Sequence, residues 1–112
     1  SSLNAVAQCD PINLGARCIA EISGRFFLLL EIETGDIERV IVIRISAAQA
    51  AILLAAGVMR CRIQDTIPVA TPGGEVNLIC AFVEGNEVFV VFNVENTTDE
   101  LVLVRVPLCM VI

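Results

Sequence analysis

Histidine, tyrosine and tryptophan are absent from this chain, and every one of its seven basic residues is arginine. Without histidine there is no Ser-His or Cys-His nucleophile pair and no imidazole metal ligand. Without lysine there is no Schiff base and no phosphate-loop lysine. Thirteen acidic residues against seven arginines give a formal net charge of -6. A surface of that sign repels phosphate backbones, so a nucleic-acid partner is not expected. No basic residues interleave with aromatic ones, so single-strand stacking has no support either. The C-x-x-C spacing of zinc and redox dithiol sites is also missing. Gly73-Gly74 lies outside any G-x-G-x-x-G or Walker pattern. The expectation is a protein that is not an enzyme, with no cofactor and no metal.

Apolar residues are what the chain has in excess. They make up 56% of 112 residues, and mean hydropathy is +0.81. That is too apolar for disorder, and the length allows one domain. The longest charge-free run, Ile45 to Met59, is shorter than the roughly 20 apolar residues of a membrane span and contains Ser46 and Gln49. It reads as a buried helix, and no membrane span is expected. The start, Ser1-Ser2-Leu3-Asn4, lacks the basic region and long apolar stretch of a signal peptide.

Residues 1–15 read as an N-terminal arm, broken by Asn4, Asp10, Pro11, Asn13 and Gly15, with Cys9 inside it. The remainder, 16–112, reads as one β domain. Strands are expected at 16–23, 26–33, 39–45, 58–64, 75–83, 87–94, 100–106 and 108–112, rich in β-branched residues and divided by turn residues. One helix is expected at about 46–57. Ser46 and Gln49 form a capping box, alanine and leucine fill the body, and Gly57 closes it. Being apolar all round, the helix should be covered on most sides.

An internal repeat organises these strands. Cys18 to Glu33 aligns with Cys80 to Glu95, placing Phe27 against Phe89. After a one-residue deletion, Val40 to Ile45 aligns with Leu101 to Val106, placing Arg44 against Arg105. Cys61 and Cys109 take similar places once the helix is treated as an insertion. Two pseudo-repeats follow, 16–64 and 75–112. The fold expected is mainly β: an eight-stranded antiparallel sandwich or small barrel, jelly-roll-like, built from two four-strand units with one inserted helix.

Strands such as Phe26-Phe27-Leu28-Leu29-Leu30 leave few positions for water, and no lysine guards an edge strand. Large apolar patches mark interfaces, so the expected partner is the protein itself, in a homo-oligomer or polymer. The five cysteines, Cys9, Cys18, Cys61, Cys80 and Cys109, fit buried thiols, disulfides or a four-thiolate metal site. An odd cysteine in an oxidised protein points to an intermolecular bond, and Cys9 is the candidate. Glu31 and Glu33 share a strand face, as do Arg60 and Arg62. With Arg44 and Arg105 they are candidates for ion pairs across strands or subunits. Asn96-Thr97-Thr98 matches a glycosylation sequon in an expected turn.

In composition the chain is similar to subunits of bacterial surface and spore filaments: small, apolar and β-rich, with scattered cysteines and an arm. That similarity implies an extracellular, cell-surface or spore-surface place; reduced cysteines would imply the cytoplasm instead. The functional expectation is a structural, self-assembling subunit. The alternative is a small β module that binds a hydrophobic small molecule.

Overall fold

The structure is a computed structural model and describes residues 10–35, 37–107 and 109. The arm residues 1–9, Cys9 included, lie outside the described residues, as does most of the strand expected at 108–112. Eight strands and one helix run in the order β1 (Ala16–Ile22), β2 (Arg25–Thr34), β3 (Ile37–Ile45), α1 (Ala47–Ala55), β4 (Met59–Arg60), β5 (Arg62–Gln64), β6 (Glu75–Glu84), β7 (Glu87–Glu95) and β8 (Asp99–Pro107). The chain divides into two compact units, Ser1–Arg60 and Cys61–Ile112.

The first unit holds a four-stranded sheet in the order β3-β2-β1-β4. Strands β1, β2 and β3 form an antiparallel meander, and β4 joins β1 in parallel through Cys18–Met59 and Ile19–Arg60. A two-residue turn, Ser23-Gly24, links β1 to β2 with both φ values positive, at 51° and 76°. That conformation matches the right-handed twist of the flanking strands, which is why glycine suits it. Parallel pairing needs a crossover of a dozen or more residues, and α1 provides it.

The helix begins on the expected capping box. Ser46 Oγ accepts from the Gln49 N–H, and Gln49 Oε1 accepts from the Ser46 N–H. It ends where the Gly57 N–H donates to the Leu54 carbonyl and the Val58 N–H to the Leu53 carbonyl. Ala50 and Val58 pack with Ala16 and Ile19, flanked by Phe26, Leu28, Leu30, Ile45, Leu53 and Leu54. The expected cover on most sides is not found among the described residues. Only Ala50 of the helix is buried, and Ile52 is 69% exposed. One helical face meets the sheet, and the opposite face, although apolar, has no layer above it among the described residues.

The second unit holds the order β5-β8-β7-β6, a second antiparallel meander with β5 added in parallel to β8. The repeat read from the sequence is reproduced pair by pair. One constant offset carries Cys18–Leu29 onto Cys80–Val91, Ala20–Phe27 onto Phe82–Phe89 and Ile22–Arg25 onto Glu84–Glu87. Even the irregularity repeats. The ladder slips between Ala16 and Cys18, and again between Leu78 and Cys80. A bulge of one extra residue at matching places is a feature of the unit, not an accident of one strand.

Three expectations need correction. The sheets are mixed, because β4 and β5 pair in parallel. Neither closes into a barrel, and each keeps three consecutive strands side by side, unlike the strand exchange of a jelly roll. The strand expected at 58–64 is two strands, broken at Cys61, one in each sheet. The mainly β, two-sheet, eight-strand reading with one inserted helix stands.

Candidate assembly surface

Two long strands are paired on one side only among the described residues: β3 in the first sheet and β6 in the second. An edge strand presents a row of N–H and C=O groups that a further strand can complete. Both edges carry apolar side chains. Ile41 and Ile43 on β3 are 42% and 39% exposed, and Leu78 and Val83 on β6 are 67% and 59% exposed. Protection is thin: Glu38, Arg39 and Arg44 on β3, Glu75, Glu84 and the bulge on β6.

The repeat explains why β6 is the barer edge. Ala16 and Ile19 of β1 are buried beneath α1 and Val58. Their counterparts on β6 are Leu78 and Ala81, and both are exposed. Among the described residues, the second repeat has no counterpart of α1 to cover that face.

The arginines singled out in the sequence mostly have partners on neighbouring strands. Arg60 of β4 lies 3.5 Å from Glu21 of β1, and Arg62 of β5 lies 3.4 Å from Glu100 of β8. Both pairs are half or more exposed, so each contributes at most about 1 kcal/mol. Arg105 of β8 reaches Glu87 of β7 at 3.4 Å and lies 6.0 Å from the Phe89 ring centroid. Phe89 in turn stacks on Phe82 at 5.5 Å. Arg44 makes no ion pair among the described residues. The repeat supplies the reason: the place of Glu87 is taken in the first unit by Arg25.

Glu31 is paired with Arg17, a half-buried contact that the sequence did not reveal. Arg17 is the extra residue of the β1 bulge, and no local pattern announces a bulge. Glu33 is exposed. Together Glu31, Glu33 and Glu38 form a cluster whose carboxylate oxygens lie within 4.8 Å of one another. Desolvation pushes the Glu38 pKa up, and the negative charges of Glu31 and Glu33 add to this against an opposing effect of Arg17. The second repeat carries a related cluster, where desolvation and the charges of Asp99 and Glu75 raise Glu95. Beside Glu95 lies Asn93, 1% exposed, donating to it at 3.3 Å while its Oδ1 has no protein partner. Asn93 occupies the place of Glu31, and its burial was not foreseen.

Two clefts open on the first unit. One, about 240 Å³, is lined by Ile12, Ala16, Arg17, Gly57, Val58 and Met59. The other, about 330 Å³, places Arg17, Glu31 and Glu33 beside residues 12–15.

Cys18 and Cys61 are disulfide-bonded, while Cys80 and Cys109 carry thiols. The single remaining cysteine could not bond two others, so the bridge runs from Cys18 to Cys61. This removes the four-thiolate metal reading, because a disulfide sulfur is not a thiolate ligand. Cys109 is exposed. Cys80 is half-buried on β6, and burial raises its thiol pKa.

No family model, curated protein or solved structure matches the chain. The features that bear on function are the strand edges, the exposed apolar side chains and the cysteines. No helix among the described residues is long and apolar enough to cross a membrane.

Proposed function

We propose that this protein is a structural subunit that assembles with copies of itself, through its strand edges and exposed apolar side chains. The observation that carries the reading is the pair of long edges, β3 and β6, with Ile41, Ile43, Leu78 and Val83 exposed along them. Strand addition uses main-chain hydrogen bonds for affinity and side-chain pockets for register. The two edges differ in sequence, so joining one to the other is heterologous. Such a contact gives a ring if the rotation closes and a filament if it does not. The apolar outer face of α1, with Ile52 exposed, adds a second surface of the same character. An intramolecular disulfide suits an oxidising place, such as the cell exterior or a cell or spore surface.

The test combines light scattering with negative-stain electron microscopy on the native chain and on Leu78→Lys with Val83→Lys. Lysine on an edge strand disfavours pairing. The parent is expected as rings or filaments, and the double variant as far smaller species with an unchanged circular dichroism spectrum. A parent that stays at 12 kDa overturns the reading. Uptake of an apolar dye by that monomer would then favour the hydrophobic-ligand module.

A further inference from the structure

The two repeats carry equivalent polar clusters that differ in what neutralises them. The repeat sets Glu31 against Asn93, Glu33 against Glu95 and Glu38 against Asp99. In the first unit a cation is built in. Arg17, the extra residue of the β1 bulge, pairs with Glu31. In the second unit the extra residue of the matching β6 bulge is Ile79. Among the described residues no arginine pairs with Glu75, Glu95 or Asp99.

Three strands bring the second cluster together. Glu95 of β7 lies opposite Glu75 of β6 on one side and Asp99 of β8 on the other. Asn93 is two residues before Glu95 on β7, so it shares that sheet face. The Glu75 and Glu95 carboxylates are within hydrogen-bonding reach of each other. Two carboxylates so close cannot both stay ionised without a proton or a cation between them. A second observation, independent of the acidic groups, points to the cation. Asn93 is 1% exposed, its amide lies against Glu95, and its Oδ1 has no protein partner. A buried amide oxygen without a partner is rare in a folded chain. A half-turn of the amide exchanges its nitrogen and oxygen at nearly constant shape. It sets Oδ1 where Nδ2 stands, 3.3 Å from Glu95 Oε1.

We propose that Asn93 Oδ1 and the carboxylates of Glu95 and Glu75 bind a calcium ion, with Asp99 adding negative charge from the neighbouring strand. Every donor is oxygen, which selects a hard cation over zinc or copper. Oxygens 3.3 Å apart subtend about 87° at a cation roughly 2.4 Å from each, an ordinary calcium geometry. At magnesium's roughly 2.1 Å the angle opens to about 104°, away from its octahedron. Glu75 and Asp99 are exposed, which leaves room for water to complete the shell. The ion does for the second unit what Arg17 does for the first. All four residues belong to one unit, so the site does not depend on self-assembly.

The test is isothermal titration calorimetry of the native chain with calcium chloride, after chelator treatment and at constant ionic strength. One ion per chain is expected, with a Kd of about 0.1–1 mM, the range of extracellular calcium modules. Magnesium should bind more weakly. Glu95→Gln and Asn93→Leu should each weaken calcium about tenfold or more, because each removes a donor. Asn93→Asp keeps an oxygen at the buried place and should bind at least as tightly as the parent, which covers the case of an Asn93→Leu chain that does not fold. Glu38→Gln, in the first cluster, should leave calcium binding unchanged. Circular dichroism without calcium checks the fold of each variant. Melts of the same samples should show calcium raising the Tm of the parent but not of Glu95→Gln. Absence of binding up to about 10 mM calcium, well above that range, overturns the proposal. So does full binding by Glu95→Gln, or its loss in Glu38→Gln, which would put the ion at the first cluster.

Discussion

Glu38 shows how single side chains set the pH response of the first sheet. Its carboxylate sits beside Glu31 and Glu33, and desolvation, reinforced by those charges, raises its pKa. The folded state therefore holds the Glu38 proton more tightly than the unfolded state. Acidification from neutrality into the window just above the ordinary glutamate range adds stability, and raising the pH through that window removes it. Glu38→Gln takes away the repelling charge. The variant is expected to exceed the parent near pH 7 by about a few tenths of a kcal/mol, a small effect because the group is exposed and screened. The difference should vanish near pH 4. Thermal melts followed by circular dichroism check this, because tryptophan and tyrosine are absent and fluorescence has no reporter. The pairing of Arg17 with Glu31 was not legible at this scale. A regular strand would alternate Arg17 away from its neighbours' face, and the bulge alters that alternation. Gly15 was legible as a breaker but not for its reason. Its φ is +97°, its carbonyl accepts from the Glu31 N–H at 2.8 Å, and a Cβ there would clash with the Glu31 carbonyl.

The elements divide by how local their cause is. The helix was readable because every signal lies within a dozen residues: cap, alanine-rich body and glycine stop. Its start makes a sharp prediction. Ser46→Ala removes one half of the capping box and should cost about 1 kcal/mol, measured by urea denaturation. The two meanders were readable because hairpin turns recur at matching positions and cysteine, phenylalanine and arginine recur with them. The split of residues 58–64 was not. Val58 to Gln64 has an unbroken strand composition, and nothing local says that Cys61 ends one strand while Arg62 begins another in a different sheet. Parallel pairing is equally silent, because its partners are about forty residues away along the chain. Of the candidate site, the apolar edges were anticipated from the lack of lysine, but which strands are edges depends on strand order, which local composition does not encode.

For the molecule as a whole, the Cys18–Cys61 bridge closes a long loop that contains β2, β3 and α1. On the chain-entropy account, a loop of that length limits the unfolded ensemble by about 4 kcal/mol. Cys18→Ala with Cys61→Ala is expected to lower the unfolding free energy by up to that amount, read from denaturant midpoints under non-reducing conditions. Reductant should reproduce the loss in the parent and leave the double variant unmoved, which separates the bridge from any packing change.

The placement of residues 59–64 also has a kinetic consequence. Meanders close from neighbouring residues and form early, whereas pairs about forty residues apart carry a larger loop-closure cost and form late. Until that short segment seats, both meanders are complete but each has two bare sides, four in all. Seating it covers β1 and β8 and leaves β3 and β6 as the long outer strands, with the short strands β4 and β5 at the other two edges. On the self-assembly reading proposed above, a chain caught before this late event offers four long edges to other copies, and a chain past it offers two.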